Sequence, residues 1–193
     1  MERPFSGVPY PGIEVKAVDE RRQEVAPGVQ GEEASRGPHM FVGYLNDPER
    51  TDEALDDDGW FYSGDLCTID KQGRVKINGR KKEIIIRGGE NVYPKEIEDF
   101  VITHPKVSDC QVVGVPDAKY GEEAMACIIL KDGETMTEPE IREFMMTNIA
   151  RHKVPRYIKF VESYPMNAAG KILKYKMREA AVEELGLQNL VKK

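Results

Sequence analysis

Four short segments of this 193-residue chain carry residue types that packing alone does not require. In Gly59-Trp60-Phe61-Tyr62-Ser63-Gly64-Asp65-Leu66, an aspartate stands at what reads as a tight glycine turn after a strand. Its two carboxylate oxygens suit a vicinal diol such as that of ribose, each accepting one hydroxyl. The bland alternative is a turn aspartate bonding its own backbone. In the stretch from Gly79 to Glu98, Arg80 and Lys82 come just before the apolar run Ile84-Ile85-Ile86, and Gly88-Gly89 comes just after Arg87. Charge at the mouth of a buried strand is useful when it meets an anion. Paired glycines permit close backbone approach or unusual φ. A hairpin with a solvated basic edge fits the same residues.

The third segment, Arg151-His152-Lys153-Val154-Pro155-Arg156-Tyr157, is a basic loop entering a strand. The fourth, Pro165-Met166-Asn167-Ala168-Ala169-Gly170-Lys171-Ile172, offers a lysine after a small-residue loop, where it could reach a phosphate or carboxylate. It is not a phosphate-cradling P-loop: the required earlier glycine is Pro165, and Ile172 stands where Ser or Thr is needed. Taken alone, Lys171 could also be an ordinary surface lysine.

Elements that could position these residues follow from periodicity. Ile13–Val18 alternates as a half-buried strand, Asp19–Gly31 is a turn-rich connector, and Pro48–Leu55 suits one short helix. Phe61-Tyr62 opens a strand running past Asp65. Asp70–Gly73 is a turn, and Val75-Lys76-Ile77 completes a hairpin. Beyond Gly79 strands and helices mix. Ile84–Ile86 reads as a short buried strand. Pro94 starts a helix with Ile97, Phe100 and Val101 on one face. Val112–Val115 and Ala124–Leu130 read as core strands. Thr137-Glu138-Pro139-Glu140 has capping-box spacing before the stripe Ile141, Phe144, Met145 and Ile149. A third strand holds Ile158 and Phe160, and a last helix turns Met177, Ala180, Ala181 and Leu185 inward. The expected architecture is α+β: residues 1–78 as a β-rich segment, then residues 79–193 as a small domain with a central sheet flanked by helices.

Composition narrows the function class. The net charge of −6 argues against general nucleic-acid binding, which needs a basic surface. No apolar run is long enough to span a membrane, and the first residues lack the apolar stretch of a signal peptide. Cys67, Cys110 and Cys127 are widely spaced and do not cluster with His39, His104 and His152. They read as reduced core thiols of a cytoplasmic protein, and no metal site is expected within the chain.

Taken together and in order, Gly43-Tyr44-Leu45-Asn46, Asp58-Gly59-Trp60-Phe61, Ser63-Gly64-Asp65-Leu66, Gly79-Arg80, Gly88-Gly89-Glu90-Asn91, Pro94-Lys95-Glu96-Ile97-Glu98 and Gly170-Lys171 resemble the signatures of the adenylate-forming superfamily. That superfamily includes acyl-CoA synthetases, peptide-synthetase adenylation domains and beetle luciferases. The resemblance runs from about Gly7 to Glu184 and is nearest to the fatty-acyl-CoA ligases. It implies that residues 1–78 are the β-barrel end of a large N-terminal, AMP-binding domain, and that residues 79–193 are a small mobile C-terminal domain. It also implies a reaction of a carboxylate with ATP to an acyl-adenylate, then transfer to the thiol of CoA.

In that reaction the resemblance implies that Asp65 holds the ribose hydroxyls, Arg80 approaches the ribose and phosphates, and Lys171 is the catalytic lysine at the carboxylate and α-phosphate. Lys82 is the hinge. Gly88 and Gly89 border the thiol tunnel, and Arg87, Lys153 and Arg156 are candidate partners of the CoA phosphates. Mg²⁺ is expected to be held in the missing N-terminal part. The family's phosphate loop has no counterpart in these residues, so the chain reads as a fragment or a truncated product, and the isolated chain is expected to be inactive. Two departures stand out: Ser63 where threonine is frequent, and a run from Gly31 to Pro38 more polar than the usual strand there. The expected substrate is a medium- or long-chain fatty acid. Alternatives are an aryl-CoA ligase or another adenylating enzyme, or, for the chain alone, a non-catalytic module that binds CoA or a partner. Nothing in the sequence sets the oligomeric state.

Overall fold

The computed structural model describes residues 5–191; residues 1–4, part of the segment read as lacking a leader, lie outside them. The chain forms two compact units, Met1–Lys82 and Glu83–Lys193. The division falls within a 3-10 turn, Lys81–Glu83.

In the first unit, strands β1 (Glu14–Val18), β2 (Gln30–Arg36), β3 (Phe61–Ile69) and β4 (Val75–Arg80) form a sheet in that order. All neighbours are antiparallel, and the sheet does not close into a barrel. A short helix, α1 (Pro48–Ala54), starts where Asp47 accepts the Arg50 N–H, a usual way to satisfy a free first-turn amide. The core is small: Val18, Ala34 and Tyr62 are buried, with Trp60 packed on them.

The connector expected over Asp19–Gly31 ends earlier, because β2 already begins at Gln30 and is an inner strand. Its polar residues are used within the unit. The Arg36 guanidinium donates twice to Glu14, at 2.9 and 3.0 Å. Glu32 accepts Lys81 Nζ at 3.0 Å and the Gly64 N–H at 3.1 Å. Gly31 has no alternative, since a Cβ there would lie 2.6 Å from the Val18 carbonyl oxygen.

In the second unit the centre is β8 (Gly121–Leu130). One edge pairs antiparallel with β7 (Val107–Asp117) along its whole length. The other edge is shared by β9 (Tyr157–Phe160), running parallel, and by β5 (Ile85–Arg87), which meets it at Arg87↔Gly121. β6 (Glu90–Val92) pairs with β5. Alternate residues of β8 face opposite sides. Ala124, Ala126 and Ile128 join Ile97 and Val101 of helix α2 (Pro94–Val101) and Ile141 and Met145 of helix α3 (Glu138–Met146). Met125 and Cys127 face Met177 and Ala181 of helix α4 (Lys174–Glu184). With helices on both faces, β8 has no solvent side, which is why it reads as a continuous apolar run.

Some expectations shift. Ile84 lies outside the strand, and Ile86 is exposed, because β5 is covered on one face only. Ala180 is exposed and Val182 is buried instead, while Met177 and Ala181 stay inward. The three cysteines are buried and free; burial pushes the Cys67 thiol up to about 12, so it stays protonated at neutral pH. Among the described residues no helix is long and apolar enough to cross a membrane.

Candidate functional site

In the first unit, Asp65 does not sit at a turn. It lies inside β3, where the pairing with β2 skips between Glu32 and Ala34 and Gly64 takes φ +74°. This is a β-bulge, a device that re-aims a side chain. Ser63 holds it in shape: its hydroxyl donates to the Glu33 carbonyl and accepts the Asp65 N–H, both at 3.1 Å. Across the sheet Asp65 pairs in register with Arg80, whose Nε donates to Asp65 Oδ1 at 2.6 Å. Both side chains remain about one-third exposed, at 31% and 37%. A carboxylate and a guanidinium thus stand side by side, an arrangement able to take a diol and an adjacent anion together. Lys82 is exposed and is the last residue of this unit.

In the second unit Gly88 and Gly89 form the two-residue turn between β5 and β6, with φ +60° and +87°. Two positive φ values are what a tight hairpin turn demands. The Gly88 N–H donates to the Tyr120 carbonyl at 2.8 Å, and a Cβ on Gly88 would lie 3.1 Å from the Tyr120 ring, whereas one on Gly89 would meet open space.

Arg87 is anchored more firmly. Its Nε and Nη2 each lie 2.8 Å from one oxygen of Glu123, a side chain only 1% exposed. That carboxylate holds the Arg87 pKa above its ordinary value. The Arg87 guanidinium also lies over the Tyr120 ring, 4.5 Å from its centroid. Asp117 fixes the β7–β8 turn. Its Oδ1 accepts the N–H groups of Tyr120 and Lys119, and its Oδ2 accepts Arg156 Nη1 at 2.9 Å. The Tyr120 N–H foremost, with Lys119 and Arg156, lowers the Asp117 pKa. Arg87, Gly88 and Arg156 are therefore gathered around one turn. Lys153 is held elsewhere, by Glu96 at 2.6 and 2.8 Å.

Lys171 differs from all of these. Asn167 Oδ1 accepts the N–H groups of Ala169 and Lys171, at 3.0 and 2.9 Å. The Asn167 N–H donates to the Lys171 carbonyl at 3.0 Å, and Met166 bridges Ile172. The backbone is thus fixed, while the Lys171 ammonium is exposed and meets no carboxylate among the described residues.

Three charged groups were given no role by the sequence. Lys174 Nζ donates to Glu98 Oε1 at 2.7 Å and to Glu83 Oε2 at 2.9 Å. Glu98 Oε1 also accepts the Val112 N–H at 2.8 Å. Burial opposes the lysine's charge, yet Glu98 and then Glu83 outweigh it and raise the pKa. One signal was available: Glu98 falls on the same helical face as Pro94 and Val101, where an unpaired charge would be costly. Among the described residues no group of three His, Cys, Asp or Glu could hold a metal ion.

Residues 96–171 match the family model of the AMP-binding enzyme C-terminal domain. This segment of the chain belongs to that family of adenylate-forming enzymes. The chain is 44% identical over 176 residues to the medium-chain fatty-acid–CoA ligase of Escherichia coli, covering 90% of this chain and 31% of that protein. With the human mitochondrial medium-chain acyl-CoA ligase ACSF2 the identity is 51% over 157 residues, covering 81% and 26%. The ATP-bound structure of MatB from Rhodopseudomonas palustris superposes with a TM-score of 0.87 at 36% identity, covering 94% of this chain and 36% of that one. The chain spans about a third of the length of the curated relatives it matches.

Proposed function

We propose that this chain is the C-terminal part of an ATP-dependent acyl-CoA synthetase acting on a medium- or long-chain fatty acid. The observation that carries this reading is Lys171: an ammonium with no carboxylate partner among the described residues, on a turn whose backbone is fixed by Asn167. Joining a carboxylate to the α-phosphate of ATP brings two anions together. A preorganised cation between them stabilises the charge that builds in the transition state. A lysine suits this because its compact ammonium addresses oxygens on both partners.

The Asp65–Arg80 pair takes the ribose hydroxyls and neighbouring phosphate in this reading. Lys82, at the seam of the two units, absorbs the backbone change by which the second unit serves first adenylation and then thioester formation. The turn at Gly88-Gly89 then borders the thiol, and Lys153 and Arg156 are the CoA-phosphate partners. Arg87 contributes through the fold, since Glu123 occupies it. Mg²⁺ accompanies ATP and belongs to residues beyond this chain, as does the phosphate loop. Three buried free thiols fit a reducing compartment such as the cytoplasm.

The test is a graft. The chain replaces the matching third of the E. coli ligase, and fatty-acid-dependent exchange of pyrophosphate into ATP and formation of acyl-CoA are measured. Both activities are expected in the graft, with neither in the isolated chain. A folded graft without either activity would overturn the reading.

A further inference from the structure

We propose that Lys174 is a positioning residue for adenylation, fastening the Lys171 turn to the residue that follows the hinge. This rests on the function proposed above. The chain of contacts is continuous. Glu83 is the first residue of the second unit, directly after Lys82. Its carboxylate takes Lys174 Nζ at 2.9 Å. The same ammonium reaches Glu98 at 2.7 Å, and Glu98 is itself fixed to β7 by the Val112 N–H. The Lys174 and Glu98 side chains are only 20% and 11% exposed.

On the other side Lys174 opens α4, immediately after the Lys171 turn. The Leu173 N–H donates to the Pro165 carbonyl at 2.8 Å. Together with the Met166–Ile172 bridge this closes residues 165–173 into one piece that runs straight into Lys174. Where Lys174 is held, Lys171 is held.

Cohesion alone does not call for this cluster. Removing three charges from water costs more than packing apolar side chains of similar volume, so such a cluster is weak evidence for stability. What it adds is direction. An ammonium shared between two carboxylates fixes α4 against both α2 and the hinge-proximal turn, which an apolar contact would leave free to slide. A catalytic cation displaced by an ångström loses much of its effect, so a joint of this kind belongs next to Lys171.

The experiment compares Lys174→Met and Lys174→Arg in the grafted enzyme. Lys174→Met is expected to lower the kcat of adenylation roughly 100-fold. Thioester formation from supplied acyl-adenylate should stay within about twofold, because Lys171 acts only in the first step. Lys174→Arg, whose fork can span both carboxylates, should restore most of the rate. Equal losses in both steps would mark a merely stabilising residue and overturn the proposal, as would an unaffected Lys174→Met.

Should Lys174→Met fail to fold, Lys174→Met with Glu98→Gln removes one stranded carboxylate and is read the same way. Hydrogen exchange on the 193-residue chain gives a second reading that needs no catalysis. The Lys171 and Leu173 amides of Lys174→Met should exchange about tenfold faster, with those of β7 unchanged. Unchanged protection at Lys171 and Leu173 overturns the proposal. A graft inactive with the native Lys174 would overturn the function instead, and the exchange measurement would still decide the role of Lys174.

Discussion

Two basic regions of the second unit look alike in sequence and differ in structure. Among the cations nominated for CoA every one already has a carboxylate: Arg87 has Glu123 and Arg156 has Asp117 beside the Gly88-Gly89 turn, and Lys153, held elsewhere, has Glu96. At the Asn167–Gly170 turn, Lys171 has none among the described residues. A cation tied within the fold has committed its charge, and an incoming anion must compete for it. A cation left free on a rigid backbone keeps its charge for a ligand. The contrast sorts residues that composition treats as equivalent, and it can be broken by mutation.

The largest effect is expected at Arg87. Its partner Glu123 is 1% exposed, so Arg87→Met strands a buried carboxylate and should cost about 3–5 kcal/mol of stability. Arg87→Met with Glu123→Gln should recover most of that loss. Urea unfolding of the four variants checks it. An Arg87→Met protein as stable as the parent would show that the pair is not what holds the hairpin to β8. At Lys171 the pattern reverses. Lys171→Ala should leave stability within about 0.5 kcal/mol, as for a surface site. In the graft it should slow adenylation by about 2.7–4 kcal/mol, the scale of removing one preorganised donor. A Lys171→Ala variant that unfolds, or that adenylates normally, would erase the distinction between the two regions.

The sequence made much of this legible. Strands β5, β7, β8 and β9 of the second unit, the start of α2 at Pro94 and the apolar stripe of α3 follow from short-range periodicity, which a linear reading detects, whereas the short β6 (Glu90–Val92) was not read from it. Gly88-Gly89 already announced a hairpin or a backbone peculiarity, and the turn has both. What stayed hidden was long-range pairing. Glu123 is 36 residues from Arg87, and Lys174 is 76 and 91 residues from its two carboxylates. No local pattern encodes which acid meets which base. Asp65 shows the same limit in another form: Gly64 suggested a turn, but only pairing with β2 turns that glycine into a bulge within a strand. The polar run of β2 departs from an apolar strand because Arg36 pairs with Glu14 and Glu32 with Lys81 and Gly64, none of them near it in sequence.

Smaller effects sharpen the contrast inside the hairpin itself. Gly88→Ala and Gly89→Ala each place a side chain at positive φ, which costs about 1–2 kcal/mol. Only Gly88→Ala also presses on the Tyr120 ring, at 3.1 Å, so it should be the more destabilising of the two. Equal losses would mean that Tyr120 yields freely.

Acid should loosen the same region. The Tyr120 and Lys119 N–H groups and Arg156 depress the Asp117 pKa, so the unfolded chain binds this proton more tightly than the folded one. The stabilisation is complete above the ordinary carboxylate value of about 4. It is lost as pH falls through the lower, folded value. Asp117→Asn should flatten that acid limb in unfolding measured from neutral pH downwards, and an unchanged limb would place the acid sensitivity elsewhere.

The smallest effect separates the two kinds of tied cation. Lys153 and Glu96 are bonded at 2.6 Å, yet the carboxylate side chain is 47% exposed, unlike that of Glu123. An exposed pair contributes about 0–1 kcal/mol, so exchanging Glu96 for a phosphate would cost little, whereas freeing Arg87 would uncover a buried charge. Lys153→Ala should therefore change stability by less than about 1 kcal/mol. If Lys153 takes a CoA phosphate, the variant in the graft should raise the KM for CoA several-fold, leave the KM for ATP alone, and lose part of the salt dependence of CoA binding. Glu96→Gln should do the opposite for CoA, releasing the ammonium and lowering that KM. Should neither substitution move the KM for CoA, Lys153 would join Arg87 as a residue of the fold, and within the second unit the contrast would narrow to Lys171 against the rest.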